Sequence, residues 1–132
     1  MTASITELCA ADHQNDPAEV ADWTANKTPA GVRAMLDRAA LTMFVAERGG
    51  QVAAVGGIEG DVIMLNYVAP EHRFTGVSKM LLAAMEAELK ARGTSIGRLV
   101  STATARQFYR AAGWTETAPG APRTGFPMRK TL

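Results

Sequence analysis

The chain has 132 residues, of which 47% are hydrophobic and 20% charged, and its formal net charge is +1. This length suits one domain over residues 1–132, and the near-neutral charge excludes a bulk attraction to nucleic acid or to anionic membranes. A single cysteine, Cys9, excludes an intrachain disulfide, and His13 and His72 lack metal-ligand spacing, so we expect no metal. No apolar run is long enough to span a membrane, and the N-terminus lacks signal-peptide features, so we expect a cytoplasmic location.

The first forty residues predict helices. Residues 5–13 have the pattern of a short helix. A second helix begins at Asp16-Pro17-Ala18-Glu19, because Asp can cap, Pro suits the first helical position, and an acid three residues after the cap completes a capping box. We expect it to run to about Asn26. A third helix begins at Thr28-Pro29, and its apolar face comprises Val32, Met35, Leu36 and Ala39.

An antiparallel meander follows these helices. Residues 41–47, 52–58 and 62–68 are predicted strands, separated by turns at Gly49-Gly50 and at Glu59-Gly60-Asp61. The strongest helical pattern runs from residue 76 to 91 and ends at Arg92-Gly93. Its apolar residues recur at helical spacing: Val77, Met80, Leu81, Ala84, Met85 and Leu89.

The remaining pattern predicts a strand over 96–101, a helix over about 104–112, a strand over 114–117, a Pro/Gly-rich loop over 118–125 and a final strand over 126–131. Strand 62–68, helix 76–91 and strand 96–101 form a β-α-β unit, which pairs its strands in parallel. Ligands of such sheets bind at the carboxyl ends of strands. Residues 69–78 and 102–104 therefore mark the predicted site.

The turn that leads into helix 76–91 has the features of an anion site. The first N–H groups of a helix lack internal partners, and the helix dipole adds positive charge there. Gly76 lets the backbone approach a ligand, and Arg73 and Lys79 add formal charge. Neither the P-loop pattern nor the dinucleotide fingerprint is present. From this turn alone, an ordinary capped helix after a strand remains the alternative to an anion site.

Two segments resemble the GNAT N-acetyltransferase superfamily. Arg73-Phe74-Thr75-Gly76-Val77-Ser78 is similar to its pyrophosphate loop, [Q/R]-x-x-G-x-[G/A], with Ser in place of the final Gly or Ala. The segment 101–114 is similar to the family's small polar residues followed by A-x-x-F-Y-x-x-x-G-[F/Y/W]. The resemblance covers residues 62–117. It implies an α/β (α+β) fold of the GNAT acyl-CoA N-acyltransferase type, with a mixed, mainly antiparallel central sheet flanked by helices.

The resemblance also implies an activity: acetyl-CoA-dependent transfer of an acetyl group to an amine of a small-molecule or peptide acceptor. Tyr109 is then the general acid that protonates the CoA sulfur. Backbone N–H groups of the loop bind the pyrophosphate, and the main chain at Val68 pairs with the pantetheine arm. The implied cofactor-binding residues are Val68, Arg73, Phe74, Thr75, Gly76, Val77, Ser78, Lys79, Thr104 and Phe108. Helix capping by Thr102 or Thr104, and core packing by Phe108, are the alternatives.

Several functional points stay open at this stage. Four polar residues lie near strand 62–68 and are candidates for the general base: Glu59, Asp61, His72 and Asn66. None of them matches a family position for that base, and each is expected to be a turn or surface residue. A water chain is another candidate for the base. Arg123 is expected to be a solvated surface residue. An inactive acyl-CoA-binding module and a different nucleotide-binding α/β protein remain as alternative functions.

The front of the chain departs from the family pattern. A typical member opens with a strand before its first helix, whereas only residues 1–4 precede the first helical pattern here. We therefore expect the first strand to be lacking, or the true gene product to begin further upstream. Without that strand, residues 41–47 form an open edge, which invites a homodimer or a cover from another element.

Overall fold

The computed structural model describes all 132 residues. Its helices are α1 Thr2–Leu8, α2 Ala10–His13, α3 Pro17–Thr24, α4 Pro29–Leu36, α5 Val77–Ala91 and α6 Arg106–Ala111, with a 3₁₀ turn at Pro70–His72. Its strands are β1 Leu41–Arg48, β2 Gln51–Glu59, β3 Val62–Val68, β4 Ile96–Ser101, β5 Thr115–Glu116 and β6 Phe126–Thr131. The predicted elements are thus present, except that the first predicted helix is divided in two at Cys9. None of the helices is long and apolar enough to cross a membrane.

One six-stranded sheet organises the chain, in the order β1-β2-β3-β4-β6-β5. Only β3 and β4 run parallel, as expected for strands joined by the crossover helix α5, and every other pairing is antiparallel. The mixed, mainly antiparallel sheet is therefore confirmed. No strand precedes β1, which lies at one edge of the sheet.

Helix α5 packs closely on one face of the sheet because that face offers a glycine. A Cβ at Gly56 would lie 2.7 Å from the sulfur of Met85, so a larger residue would displace the side chain with which Met85 of α5 packs on the sheet. The buried stripe of α5 comprises Val77, Leu81, Leu82, Met85 and Leu89. Met80, which is 56% exposed, and Ala84 fall at the same helical spacing but lie on the exposed flank of this stripe, whereas Leu82 is buried.

The helices α1 to α3 cover the opposite face at the level of the site. Adjacent residues of a strand point to opposite faces, and on β3 the Tyr67 hydroxyl accepts the indole N–H of Trp23 in α3, whereas Asn66 contacts α6. Asp16 caps α3 as predicted, accepting the Ala18 N–H at 2.9 Å. The predicted capping box was wrong in its second half, because Glu19 pairs with Arg123 instead of reaching back to the cap.

Candidate active site

The strands β3 and β4 separate along their length and leave a gap between them. They pair only at Val62 with Arg98 and at Ile63 with Leu99, near the start of β3. Further along, the Ala69 N–H donates to the Ala53 carbonyl at 2.8 Å. The neighbouring pair, Ala54 and Val68, is therefore a non-hydrogen-bonded pair, and the main-chain groups of Val68 point away from β2. These groups face the gap and are available to an extended ligand.

A run of free donors stands at the end of this gap. None of the backbone N–H groups from Phe74 through Lys79 donates to an acceptor within the protein. Gly76 caps α5 with φ +83° and offers no capping side chain, and no atom lies within 4 Å of the position that a Cβ would occupy there. Consecutive free N–H groups at the start of a fifteen-residue helix, together with its dipole, favour the binding of an anion.

Cationic side chains surround this loop. Arg73 and Lys79 are exposed, as a ligand-binding role requires. A third cation, Arg48 at the end of β1, donates to the Thr75 carbonyl at 3.3 Å. Sequence reasoning missed Arg48, because it lies in another strand and only the antiparallel pairing of β1 and β2 carries it to the loop. The side chain of Val77 is buried in the core, so only its main chain can reach a ligand.

Helix α6 carries Tyr109 to the other side of the gap. Its side chain is only 6% exposed, and its ring packs edge-on against Phe108 and Trp114, with centroid distances of 5.1 and 6.1 Å. The Tyr109 hydroxyl accepts a hydrogen bond from Asn66 Nδ2 at 3.0 Å. Burial raises the pKa of Tyr109 to about 12. The phenol is therefore neutral at physiological pH, and because it accepts from Asn66, its own proton remains available for donation.

Asp12 is a buried carboxylate that sequence reasoning missed. It is 2% exposed, and it accepts hydrogen bonds from the Ala103 N–H at 2.5 Å, the Thr104 N–H at 3.2 Å and the Thr104 hydroxyl at 2.7 Å. The N-terminal helices are thereby tied to the loop that leads into α6. A signal was present in the sequence: Ile5, Cys9 and Asp12 are spaced as one helical stripe, so an acid lay on a predicted buried face.

The polar residues after β4 serve local structure. The Thr102 hydroxyl accepts the Ala105 N–H at 3.0 Å in the turn before α6, but Ala105 is the N-cap of that helix and no side chain caps it, so the capping alternative for Thr102 was wrong. The Thr104 hydroxyl donates to Asp12. Phe108 is half-buried and packs against the core. Cys9 lies close to Thr104 and is buried, and burial, followed by the charge of Asp12, raises the pKa of its thiol to about 11, so this thiol is unreactive at neutral pH.

A pocket of about 300 Å³ opens on the α1–α3 side of the carboxyl end of β4. Its wall combines the β4 end, α2 and α3, and the loop before β6, with Glu19 and Asp22 on the α3 side and Arg123 on the loop. Arg123 lies 3.2 Å from Glu19 and 3.6 Å from Asp16, so it is held by acids at the pocket rather than fully solvated. The full lining is Asp12, His13, Glu19, Asp22, Trp23, Val100, Ser101, Thr102, Pro122, Arg123, Thr124 and Gly125.

The candidates for the general base are dispersed. Glu59 is the last residue of β2 and Asp61 lies in the turn before β3, at the end of that strand remote from the loop, and they pair with Arg38 and Arg98. Asp61 is therefore a turn residue, as expected. Asn66 is committed to Tyr109. His72 lies in the 3₁₀ turn, where its Nε2 is buried without a hydrogen-bond partner.

The chain matches one protein family over almost its whole length. The model of the acetyltransferase (GNAT) domain family matches residues 9–132. No curated protein sequence matches the chain.

Solved structures share its fold. A GCN5-related N-acetyltransferase from Rhodopseudomonas palustris, also described as a class-II aminotransferase, superposes with a TM-score of 0.87 at 24% identity, over 99% of this chain and 84% of that one. The PaiA N-acetyltransferase of Thermoplasma acidophilum, in complex with coenzyme A, has a TM-score of 0.82 at 14% identity, over 99% and 90%. A streptothricin acetyltransferase of Bacillus anthracis, in complex with acetyl coenzyme A, has a TM-score of 0.66 at 14% identity, over 76% and 67%. At these identities the likeness establishes the fold.

Proposed function

Because the chain belongs to the acetyltransferase (GNAT) domain family, we propose that it is an acetyl-CoA-dependent N-acetyltransferase that acts directly on an amine. One observation carries the proposal: the free N–H groups from Phe74 through Lys79 follow the short 3₁₀ turn at the end of β3, the strand whose Asn66 holds the Tyr109 hydroxyl. A phosphate-binding loop and a buried proton donor are thus joined to the same strand.

The loop fits the pyrophosphate of CoA. Its backbone N–H groups would bind the phosphate oxygens, with Arg73 and Lys79 contributing charge. The free space at Gly76 lets those oxygens approach the main chain. From there the pantetheine arm would extend into the gap and pair with the main chain of Val68 as an added strand does. Phe108 would form part of the wall beside that arm, and Thr104 would hold the α6 loop through Asp12.

Tyr109 would act on the sulfur as the thioester is cleaved. In the reaction the C–S bond breaks and a C–N bond forms, while the amine loses a proton and the thiolate gains one. A phenol with a pKa of about 12 is a weaker acid than an ordinary thiol, whose pKa is about 8.5, so complete early proton transfer would be uphill. Tyr109 would therefore stabilise the departing sulfur mainly by donating a hydrogen bond while negative charge develops, and the thiolate would take its proton from water.

The pocket beside β4 is the proposed entrance for the acceptor. It adjoins the end of β4 at Ser101, and Trp23 in its wall donates to Tyr67, which connects that wall to β3, the other strand of the gap. Because Arg123 in the pocket wall pairs with Glu19, the Asp22 carboxylate is the charge that favours a positively charged amine over a neutral or anionic acceptor. Water hydrogen-bonded to this carboxylate would carry the proton away from the amine.

Turnover tests the proposal directly. The purified chain is incubated with acetyl-CoA and a panel of monoamines, diamines, aminosugars and peptide N-termini, and free thiol is measured together with the mass of the acetylated amine. The proposal predicts amine-dependent thiol release and an acetylated product. Binding of acetyl-CoA without turnover on any amine would support the inactive acyl-CoA-binding module instead.

A further inference from the structure

Phe74 has an unusual combination of conformation and exposure. Its φ of +60° lies in the left-handed region, which costs free energy for a residue with a Cβ and is retained mainly where function requires it. Its side chain is 91% exposed, although it is a large apolar group. The loop therefore holds an aromatic ring in solvent, in a backbone conformation that glycine would adopt more easily.

The ring has one specific neighbour. The guanidinium carbon of Arg73 lies 4.6 Å from the Phe74 ring centroid, the geometry of a cation–π contact. Planar cations and aromatic rings are the two side-chain types on which nucleic-acid bases stack. Both are present side by side at the start of the run of free N–H groups.

We propose that Phe74 and Arg73 together form a stacking platform for the adenine ring of acetyl-CoA. This inference rests on the proposed function, because it takes the pyrophosphate to be bound by the same loop. In CoA the adenine is joined to the pyrophosphate through a single ribose, so the base must lie close to whatever binds the phosphates. The exposed ring of Phe74 is the apolar surface available there, and stacking would remove it from water.

Two substrates that differ in the adenosine end test the platform. Acetyl-CoA carries the adenosine end. Acetyl-4′-phosphopantetheine keeps the thioester arm and one phosphate but has no adenosine. We expect Phe74→Ala to raise the KM for acetyl-CoA about tenfold, which corresponds to about 1.4 kcal/mol, and to leave the KM for acetyl-4′-phosphopantetheine unchanged. Phe74→Tyr preserves an aromatic face and should retain the KM of the unmodified chain.

The controls separate stacking from damage to the loop. Leu36→Ala removes another exposed apolar side chain, on α4, and should change neither KM. An equal rise in both KM values for Phe74→Ala would mean that the loop itself had been disturbed, and an unchanged KM for acetyl-CoA would mean that the ring does not stack; either result overturns the proposal. If the unmodified chain neither binds nor turns over acetyl-CoA, the proposed function has failed instead.

Discussion

Replacing Tyr109 by Phe tests the proposed chemistry with the smallest change that the site allows. The substitution removes one oxygen and keeps the edge-on packing against Phe108 and Trp114. A hydrogen bond to a charged group contributes about 1.5–3 kcal/mol. If the hydroxyl donates to the developing thiolate, kcat should fall about 10- to 150-fold, since 1.36 kcal/mol is a factor of ten in rate. The KM for acetyl-CoA should change little, because the pyrophosphate loop is left intact.

The assay is thiol release at saturating amine, with the fold checked by circular dichroism and denaturant unfolding. Asn66 Nδ2 loses its acceptor in Tyr109→Phe, so the unfolding free energy should also fall, by about 1 kcal/mol. Asn66→Ala is the matched control, because it removes the same hydrogen bond and keeps the hydroxyl. Its kcat should fall much less. A Tyr109→Phe enzyme with kcat within twofold of the unmodified chain would refute the assignment of this hydroxyl to the reaction.

Further predictions concern the loop, the buried carboxylate, the titration of buried groups and the pocket. Gly76→Ala introduces strain at φ +83° without a steric clash, so it should raise the KM for acetyl-CoA in initial-rate measurements with little loss of kcat. Asp12→Asn replaces a carboxylate that accepts three hydrogen bonds with a group that has one acceptor oxygen, and urea unfolding should show a loss of about 1–3 kcal/mol. The folded chain holds the pKa of Cys9 near 11 and that of Tyr109 near 12, both above their ordinary values. The two protonated groups therefore stabilise the folded chain fully below about pH 9, and this stabilisation is lost as the pH rises to 12. Tyr109→Phe should therefore reduce the slope of unfolding free energy against pH at the alkaline end, and a slope equal to that of the unmodified chain would contradict the shift. Asp22→Asn should raise the KM for a cationic amine severalfold at low salt and less at high salt, whereas an effect independent of salt would exclude an electrostatic role.

The fold was largely predictable because its pattern is local. The apolar run of β3, the helical stripe of α5 and the left-handed glycine between them lie within about thirty residues, and each follows short-range rules. Those rules also limited the prediction. The helical spacing of Met80 and Ala84 does not tell that both are exposed, because the position of the sheet against α5 decides which flank of the stripe faces solvent.

The site was predictable only where a motif marked it. The loop and Tyr109 belong to recognisable segments, and Asn66 links Tyr109 to β3, the strand that precedes the loop. Asp12 and Arg48 act across long sequence separations, Asp12 on the loop before α6 and Arg48 on the Thr75 carbonyl. Nothing in the local sequence specifies such partners, because they follow from how the N-terminal helices and the first hairpin pack on the sheet.

The central claim is that the loop from Phe74 through Lys79 is a working CoA site, and ligand-dependent thermal unfolding tests it most directly. A ligand that binds only the folded chain stabilises it by about 2.7 kcal/mol at one hundred times its Kd, which raises the melting temperature by several degrees. The account predicts that acetyl-CoA and CoA raise the melting temperature, that ATP does not, and that Gly76→Ala reduces the shift. Absence of a shift with both CoA ligands, or an equal shift with ATP, would contradict it.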